Sequence, residues 1–588
     1  MRYYERELAY VRMALGKFSK QYPEEAGHLG IGQSSVEDPN INRLIEGMAL
    51  LTAKTEERLD QQFPDLVQDL FTLLYPGMLE PVPSYFPLRL IPNVDMMNEN
   101  QQLAAGSSIS VGQENQMQCQ FTTVSDLNIY PFILTDVIAE SAPFTTRSPP
   151  SLHHAKGLIQ LHLQCSDPTQ RFDKLDLGDL EFYVNGFEGN SQPLINLLLT
   201  HCCSITLSDL KGHQHQEISV GSLINRVTQT SFQWLSQHGN QFSGYDLLRD
   251  YFCYPDKSAY FSVSGFSTHT ADLPYRDIVL NLYLDYIPAE ILRLFNHSVF
   301  SLYTVPAINR FAQSAEPMQY NSSSLAMPVF GDAQSQSSIE VIKVEAVYEI
   351  DYSGEWLLNP LYKRRHRDHL SQRTWQSRQH WNSVGEREIE LSVSVSEQEL
   401  ARDYIPLALD LVCSNGRAPC NIAKHSEVTN LGNVDLPGIL RAASVPTGPI
   451  YPDLKHDLYW RFIALLNANF SSLLHASEPT EVLRDMLALC NLGSDDSALN
   501  AIKDLSFKPT VGSVQVGNQS IFSTGCVVML TLDKRELMTV PHVFPQVINA
   551  FLQQFCSYDR FIQLEVRHFG DDSYCLRFEP LQGSQLCL

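Results

Sequence analysis

Residues 3–30 read YYERELAYVRMALGKFSKQYPEEAGHLG, and residues 38–76 read DPNINRLIEGMALLTAKTEERLDQQFPDLVQDLFTLLYP. In the first stretch Tyr4, Leu8, Val11, Leu15, Phe18 and Tyr22 recur at alternating spacings of four and three, with Arg2, Glu5, Arg6, Glu7, Arg12 and Lys17 between them. Such spacing lays one apolar stripe along an amphipathic helix, as in the seam of a coiled coil. In the second stretch Asp38-Pro39 opens a helix, because the carboxylate caps free amides and the proline brings its fixed φ to the first helical position. Ile41, Leu44, Ile45, Met48, Leu51, Thr55 and Leu59 give that helix a broad apolar face. A third helix is expected from Pro64-Asp65, burying Leu66, Leu70, Phe71 and Leu74 and ending at Tyr75-Pro76-Gly77.

Prolines at 76, 81, 83, 87 and 92 suit neither a helix interior nor a central strand, so the first boundary is placed there. Beyond it the apolar period changes to two. In GLIQLHLQC, Ile159, Leu161, Leu163 and Cys165 alternate with Gln160, His162 and Gln164, which is the pattern of a half-buried strand. MQCQFTTV, LNIYPFIL, LEFYVNG, SAYFSVSG and DIVLNLYLDYI read the same way, with a helix inserted at PLINLLLTHCC. Polar breaks are expected over 321–338 and 352–386. After them come strand-like LSVSVS and LALDLVCSN, a helical pair, strand CVVMLTL, helix VFPQVINAFLQQF and strand FIQLEVR. The fold class is therefore α+β and multidomain. A helical bundle segment occupies 1–80, a β-rich region with inserted helices 81–350, and a mixed α+β region 351–588.

A chain of 588 residues is long enough for several cores. Its formal net charge of -24 repels phosphate, which argues against nucleic acid or an anionic membrane as general partners. The twelve cysteines are scattered without a C-x-x-C pair, the usage of reduced cytosolic thiols. The amino terminus lacks the apolar core of a signal peptide. The most apolar runs, residues 278–295 and 462–474, are cut by charged or polar residues, so no membrane insertion is expected and the protein is placed in the cytoplasm.

Chemistry-bearing spacings are sparse. His213-x-His215, with His201, Cys202 and Cys203 nearby, lacks a second paired motif, so the metal-dependent hydrolase it would imply is a remote alternative to a polar loop. Lys363-Arg364-Arg365-His366-Arg367, followed by Arg373, Trp375, Arg378, His380 and Trp381, has the basic and aromatic mixture of a single-strand binder. In so acidic a chain it is better read as contacting acidic protein surface, within the molecule or on a partner. No phosphate-binding glycine loop and no nucleophile elbow is present, and neither enzymatic activity, cofactor nor metal is expected.

The two stretches that open the chain resemble the start of the TssF family, also called VasA or ImpG, of type VI secretion baseplates. Further resemblance lies in GYDLLRDYFCYPDKSAYF (Gly244 to Phe261) and in LYTVPAINRFAQSAEP (Leu302 to Pro317), with Arg310 where the family usually has an apolar residue. It continues in LVCSNGRAPC, where Gly416 shifts the arginine, and in VPTGPIYP with Trp460, Arg461, Asn467, Asn469 and Ser472 beyond it. The resemblance implies a structural wedge subunit of a contractile injection system. It would join TssG, two copies to one, through a shared helical bundle, and work with TssK, TssE and the tube-spike hub at the inner face of the envelope of a Gram-negative bacterium. A phage or prophage baseplate wedge protein is the neighbouring alternative. The residues expected to meet partners are Tyr4, Leu8, Val11, Leu15 and Phe18 of the first helix and Leu44, Met48 and Leu51 of the second.

Overall fold

The computed structural model describes the chain apart from residues 1, 29–38, 113–117, 153, 188, 236–242, 322–325, 333–338, 353, 362–372, 382–386, 395–403, 433, 453–477, 494, 517–518, 538–541, 558–559 and 584–588. The described residues fall into two compact units, one reaching to Pro76 and the other beginning at Gly77.

The first unit is helical: α1 (Arg2–Gln21), α2 (Pro23–His28) and α3 (Pro39–Leu74). Helix α1 packs along α3. Contrary to the expected break at Pro64-Asp65, α3 runs unbroken for 36 residues. A proline inside a helix forfeits one backbone hydrogen bond and crowds the preceding turn, at about 3 kcal/mol. Helical runs of several turns on either side absorb that loss.

The second unit is built from sheets. A closed barrel takes Tyr85–Pro92, Thr304–Ile308, Cys119–Thr123, Ser108–Val111, Glu427–Asn430 and Gly438–Ala442 in that order, and the last strand pairs with the first. The prolines spoke against a central strand here, yet Tyr85–Pro92 is paired on both sides. Pro87 stands opposite Pro306. The Pro87 carbonyl accepts from the Ala443 N–H at 2.9 Å and the Pro306 carbonyl from the Val124 N–H at 3.0 Å, so each proline turns its polar edge away from the other. The two meet where an antiparallel ladder makes no bond, and none between their strands is lost.

A five-stranded antiparallel sheet orders His215–Ile218, Cys202–Asp209, Asp277–Leu284, Gly157–Cys165 and Phe132–Ser141. Its buried middle row is polar: Gln160 Nε2 donates to Asn281 Oδ1 at 2.8 Å, and Asn281 Nδ2 to Ser208 Oγ at 2.9 Å. Amides that satisfy one another in this way are tolerated inside a sheet. The inserted helix, Gln192–His201, stops one residue before the strand that begins at Cys202, so the two cysteines assigned to it belong to the strand.

An eight-stranded sheet pairs its two longest strands, Tyr404–Ser414 and Glu340–Asp351, and continues through Gly354–Pro360, Thr374–Trp381 and Arg387–Val393. It corrects two expectations. The hairpin of Glu340–Asp351 with Gly354–Pro360 straddles residue 350, where a domain boundary was drawn, and the polar break over 352–386 contains two strands. Polar composition misled because a strand solvated on one face needs apolar residues only at alternate positions. In the C-terminal sheet, Gln519–Leu532 and Phe561–His568 run parallel, joined by the helix Val543–Phe555 that a parallel pairing requires.

Candidate assembly surface

Helix α3 turns Ile45, Ala49 and Ala53 inward, at 7, 0 and 5 % exposure, and the four-residue spacing places them on one line of the helix. Among the described residues the rest of the apolar face read from the sequence is open. Leu44, Met48 and Leu51 are 67, 59 and 67 % exposed, and Leu50, on the far side of the enclosed line, is exposed as well. The side chains of Ile41 and Leu59 lie outside the described residues. On α1 the most enclosed side chains are Glu7 and Ser19, whereas the stripe of Tyr4, Leu8, Val11, Leu15 and Phe18 is only half-buried. The seam thus runs along the rim of the α1 and α3 contact rather than through it. Tyr10 and Met13, off the stripe and not singled out from spacing, are also open. A fully buried leucine or methionine contributes roughly 1.5–3 kcal/mol, so this unit leaves several such contributions unused.

The histidine loop is a turn. Asp209 closes it by accepting from the N–H of His213 at 2.7 Å and of Gln214 at 3.0 Å. Both ring nitrogens of His215 are engaged, Nε2 with the Arg147 carbonyl at 2.9 Å and Nδ1 with Thr206 Oγ1 at 3.4 Å. His201 lies against Asp285 instead, at 2.8 Å. Of the basic tract, Lys363 to Arg367 lie outside the described residues. The remainder is built into the eight-stranded sheet: Arg373 is ion-paired with Glu349, Trp375 is buried with Nε1 donating to the Leu358 carbonyl at 3.0 Å, and Arg378 stands opposite Glu390. Its second half therefore makes the intramolecular acidic contact.

Three of the stretches that carried the resemblance, residues 244–261, 302–317 and 411–420, form joints; Trp460, Arg461, Asn467, Asn469 and Ser472 lie outside the described residues. In the helix Ser243–Cys253, Arg249 is 1 % exposed and donates to the carbonyls of Gly77 and Glu80, so it grips the proline-rich segment. Asp250 accepts from the N–H groups of Trp234 and Leu235 at 2.9 and 3.1 Å and from Lys257 Nζ at 2.6 Å. Burial pulls the Lys257 ammonium below the ordinary lysine range, and Asp250 opposes the shift. Tyr254 donates to the Pro83 carbonyl and Tyr85 to Asp256, both at 2.9 Å. Arg310, the departure from the family pattern, pairs with Glu80 at 3.0 Å. One residue earlier, Asn309 exchanges bonds with Asn415 of the other motif: Asn309 Nδ2 donates to Asn415 Oδ1 at 2.9 Å, and the Asn415 N–H to Asn309 Oδ1 at 2.7 Å. That reciprocal pair ties the end of a barrel strand to the end of the strand Tyr404–Ser414 of the eight-stranded sheet.

Open apolar faces on a helical unit, together with buried polar groups committed to holding sheets to one another, mark a structural subunit of a larger assembly. The chain belongs to the type VI secretion system TssF family, whose model matches residues 1–585. It is 22 % identical to the type VI secretion system component TssF1 of Pseudomonas aeruginosa PAO1, over all of this chain and 99 % of that protein. Its fold is similar to a chain of the cryo-electron-microscopy structure of the TssK-TssF-TssG baseplate subcomplex, with a TM-score of 0.72, 21 % identity and coverage of 92 % of this chain and 99 % of that one. A chain of the type VI secretion baseplate complex matches at a TM-score of 0.58 and 19 % identity over the full length of both. Among the described residues no helix is long and apolar enough to cross a membrane.

Proposed function

We propose that this baseplate component is a wedge subunit that works mechanically rather than by turnover, and that α1 and α3 enter a helical bundle shared with TssG and a second copy of the chain, two to one. The observation that carries the reading is the open row of Leu44, Met48 and Leu51 on α3 beside the half-buried stripe of α1. Among the described residues α1 and α3 make a helical pair with an apolar rim, and further amphipathic helices would complete it as a bundle. The TssK-TssF-TssG subcomplex supports TssG and TssK as partners by likeness of fold. TssE and the tube-spike hub follow from the family's place in a contractile machine, which stands in the cytoplasm against the inner envelope and primes sheath assembly and effector delivery. Contraction would then shift subunit interfaces together between discrete packings.

The test is co-purification with the cognate TssG. Because Leu44 and Leu51 are already exposed, replacing both with aspartate leaves the isolated chain folded by circular dichroism. Burying the new charges in the bundle costs several kcal/mol, so TssG is lost. Retention of TssG at native stoichiometry would remove α3 from the joint.

A further inference from the structure

Only one face of the eight-stranded sheet serves the core. Along Tyr404–Ser414 the inward residues Ile405, Leu407, Leu409 and Leu411 are each no more than 2 % exposed. An antiparallel sheet with a solvated second face ordinarily alternates these with polar residues. Here the outward row begins Tyr404, Pro406, Ala408, and only then reaches Asp410. Register extends the apolar surface across two more strands, since Ala408 stands opposite Tyr348 and Tyr348 opposite Leu357. Leu357 and Tyr404 are 62 and 58 % exposed.

Charge says what can cover this face. Carboxylates stand at its margins: Asp410 beyond Ala408, and exposed Glu355 two residues from Leu357 on the same side of its strand. The lysine on the same side, Lys343, is neutralised by Glu345 at 2.8 Å. A second copy would bring the same carboxylates from a chain already at a formal charge of -24, and phosphate-bearing surfaces carry the wrong sign. Like charges placed opposite one another cost affinity, whereas opposite ones fix register and speed encounter.

We propose that the outward face of the eight-stranded sheet, centred on Tyr348, Leu357 and Tyr404, docks a different protein subunit whose contact surface has an apolar centre rimmed by lysine or arginine. The proposal rests on the assembly reading only in that such a neighbour is present where the chain works. It concerns a different surface from α3 and a partner defined by charge.

The experiment places the photoreactive residue p-benzoylphenylalanine at Leu357 in the full chain, expressed in its own host with its neighbouring subunits. A parallel variant carries it at Leu44. After irradiation the cross-linked peptides are sequenced by mass spectrometry. The expected result at Leu357 is a single partner peptide, from a protein other than this chain, with lysine or arginine beside apolar residues. Adding Asp410→Lys and Glu355→Lys should weaken that adduct at least tenfold, while circular dichroism stays unchanged. Cross-linking at Leu44 with none at Leu357 overturns this proposal and leaves the bundle intact. An adduct with a second copy, one to a peptide without basic residues, or one indifferent to charge reversal overturns it as well. Absence of adducts at both positions removes both readings.

Discussion

At the residue scale the molecule depends on polar groups with no route to water. Asn309 is 0 % exposed; it donates to the Gln120 carbonyl at 2.6 Å as well as to Asn415, and accepts from the Asn415 N–H. Asn309→Ala should lower the melting temperature by several degrees, because each orphaned buried group costs on the order of 1–3 kcal/mol. Ser314→Ala, which removes an exposed bond to Asp410, should leave it within a degree, and equal effects would deny the joint its importance. A second residue sets a pH dependence. Burial, reinforced by Lys534, lowers His568 from 6.5 to about 4. The folded state thus refuses a proton that the unfolded chain accepts, so this contribution to stability is whole above pH 6.5 and is lost as pH falls toward 4. Melting at pH 7 and pH 5 should show a smaller difference in His568→Gln than in the parent chain; an unchanged difference would assign the effect to other groups.

At the element scale the line of Ile45, Ala49 and Ala53 makes α3 two-sided, with small residues where it is enclosed and large ones where it is open. Ala49→Leu should destabilise the helical unit by about 1–3 kcal/mol through overpacking, whereas Met48→Ala, at an exposed position, should stay within about 0.5 kcal/mol. Thermal melts followed at 222 nm decide this, and the reverse order would mean that the inward face is misassigned. Elements with one clear period were legible beforehand: α1, the strand Gly157–Cys165, and the helix Val543–Phe555, which matches its expected residues. The division of the α3 face was not, since Leu44 and Ile45 are equally apolar and only the packed neighbour says which one is covered. Strand Thr374–Trp381 escaped notice because its basic and polar residues masked Trp375 as a core position. The barrel strand Tyr85–Pro92 escaped because a proline's fit depends on the hydrogen bonds of the strand beside it.

At the scale of the whole molecule, the described residues from Gly77 onward carry their own barrel, sheets and joints, with Arg249 holding Gly77 and Glu80 from inside that unit. A chain beginning at Gly77 should therefore be expressed folded, with the β-sheet signature of circular dichroism and a cooperative melt, and should lose TssG. A molten product would show that the helical unit is needed for the rest. The barrel also imposes an order in time. Its first strand, Tyr85–Pro92, is sealed by Gly438–Ala442, and a ribosome adding ~5–20 residues per second takes on the order of half a minute to travel from one to the other. Throughout that interval the nascent chain presents an open strand edge, able to pair with any neighbouring polypeptide. Such a subunit is vulnerable while it is being made, and its yield in the cell is set by how well that edge is guarded until the closing strand emerges.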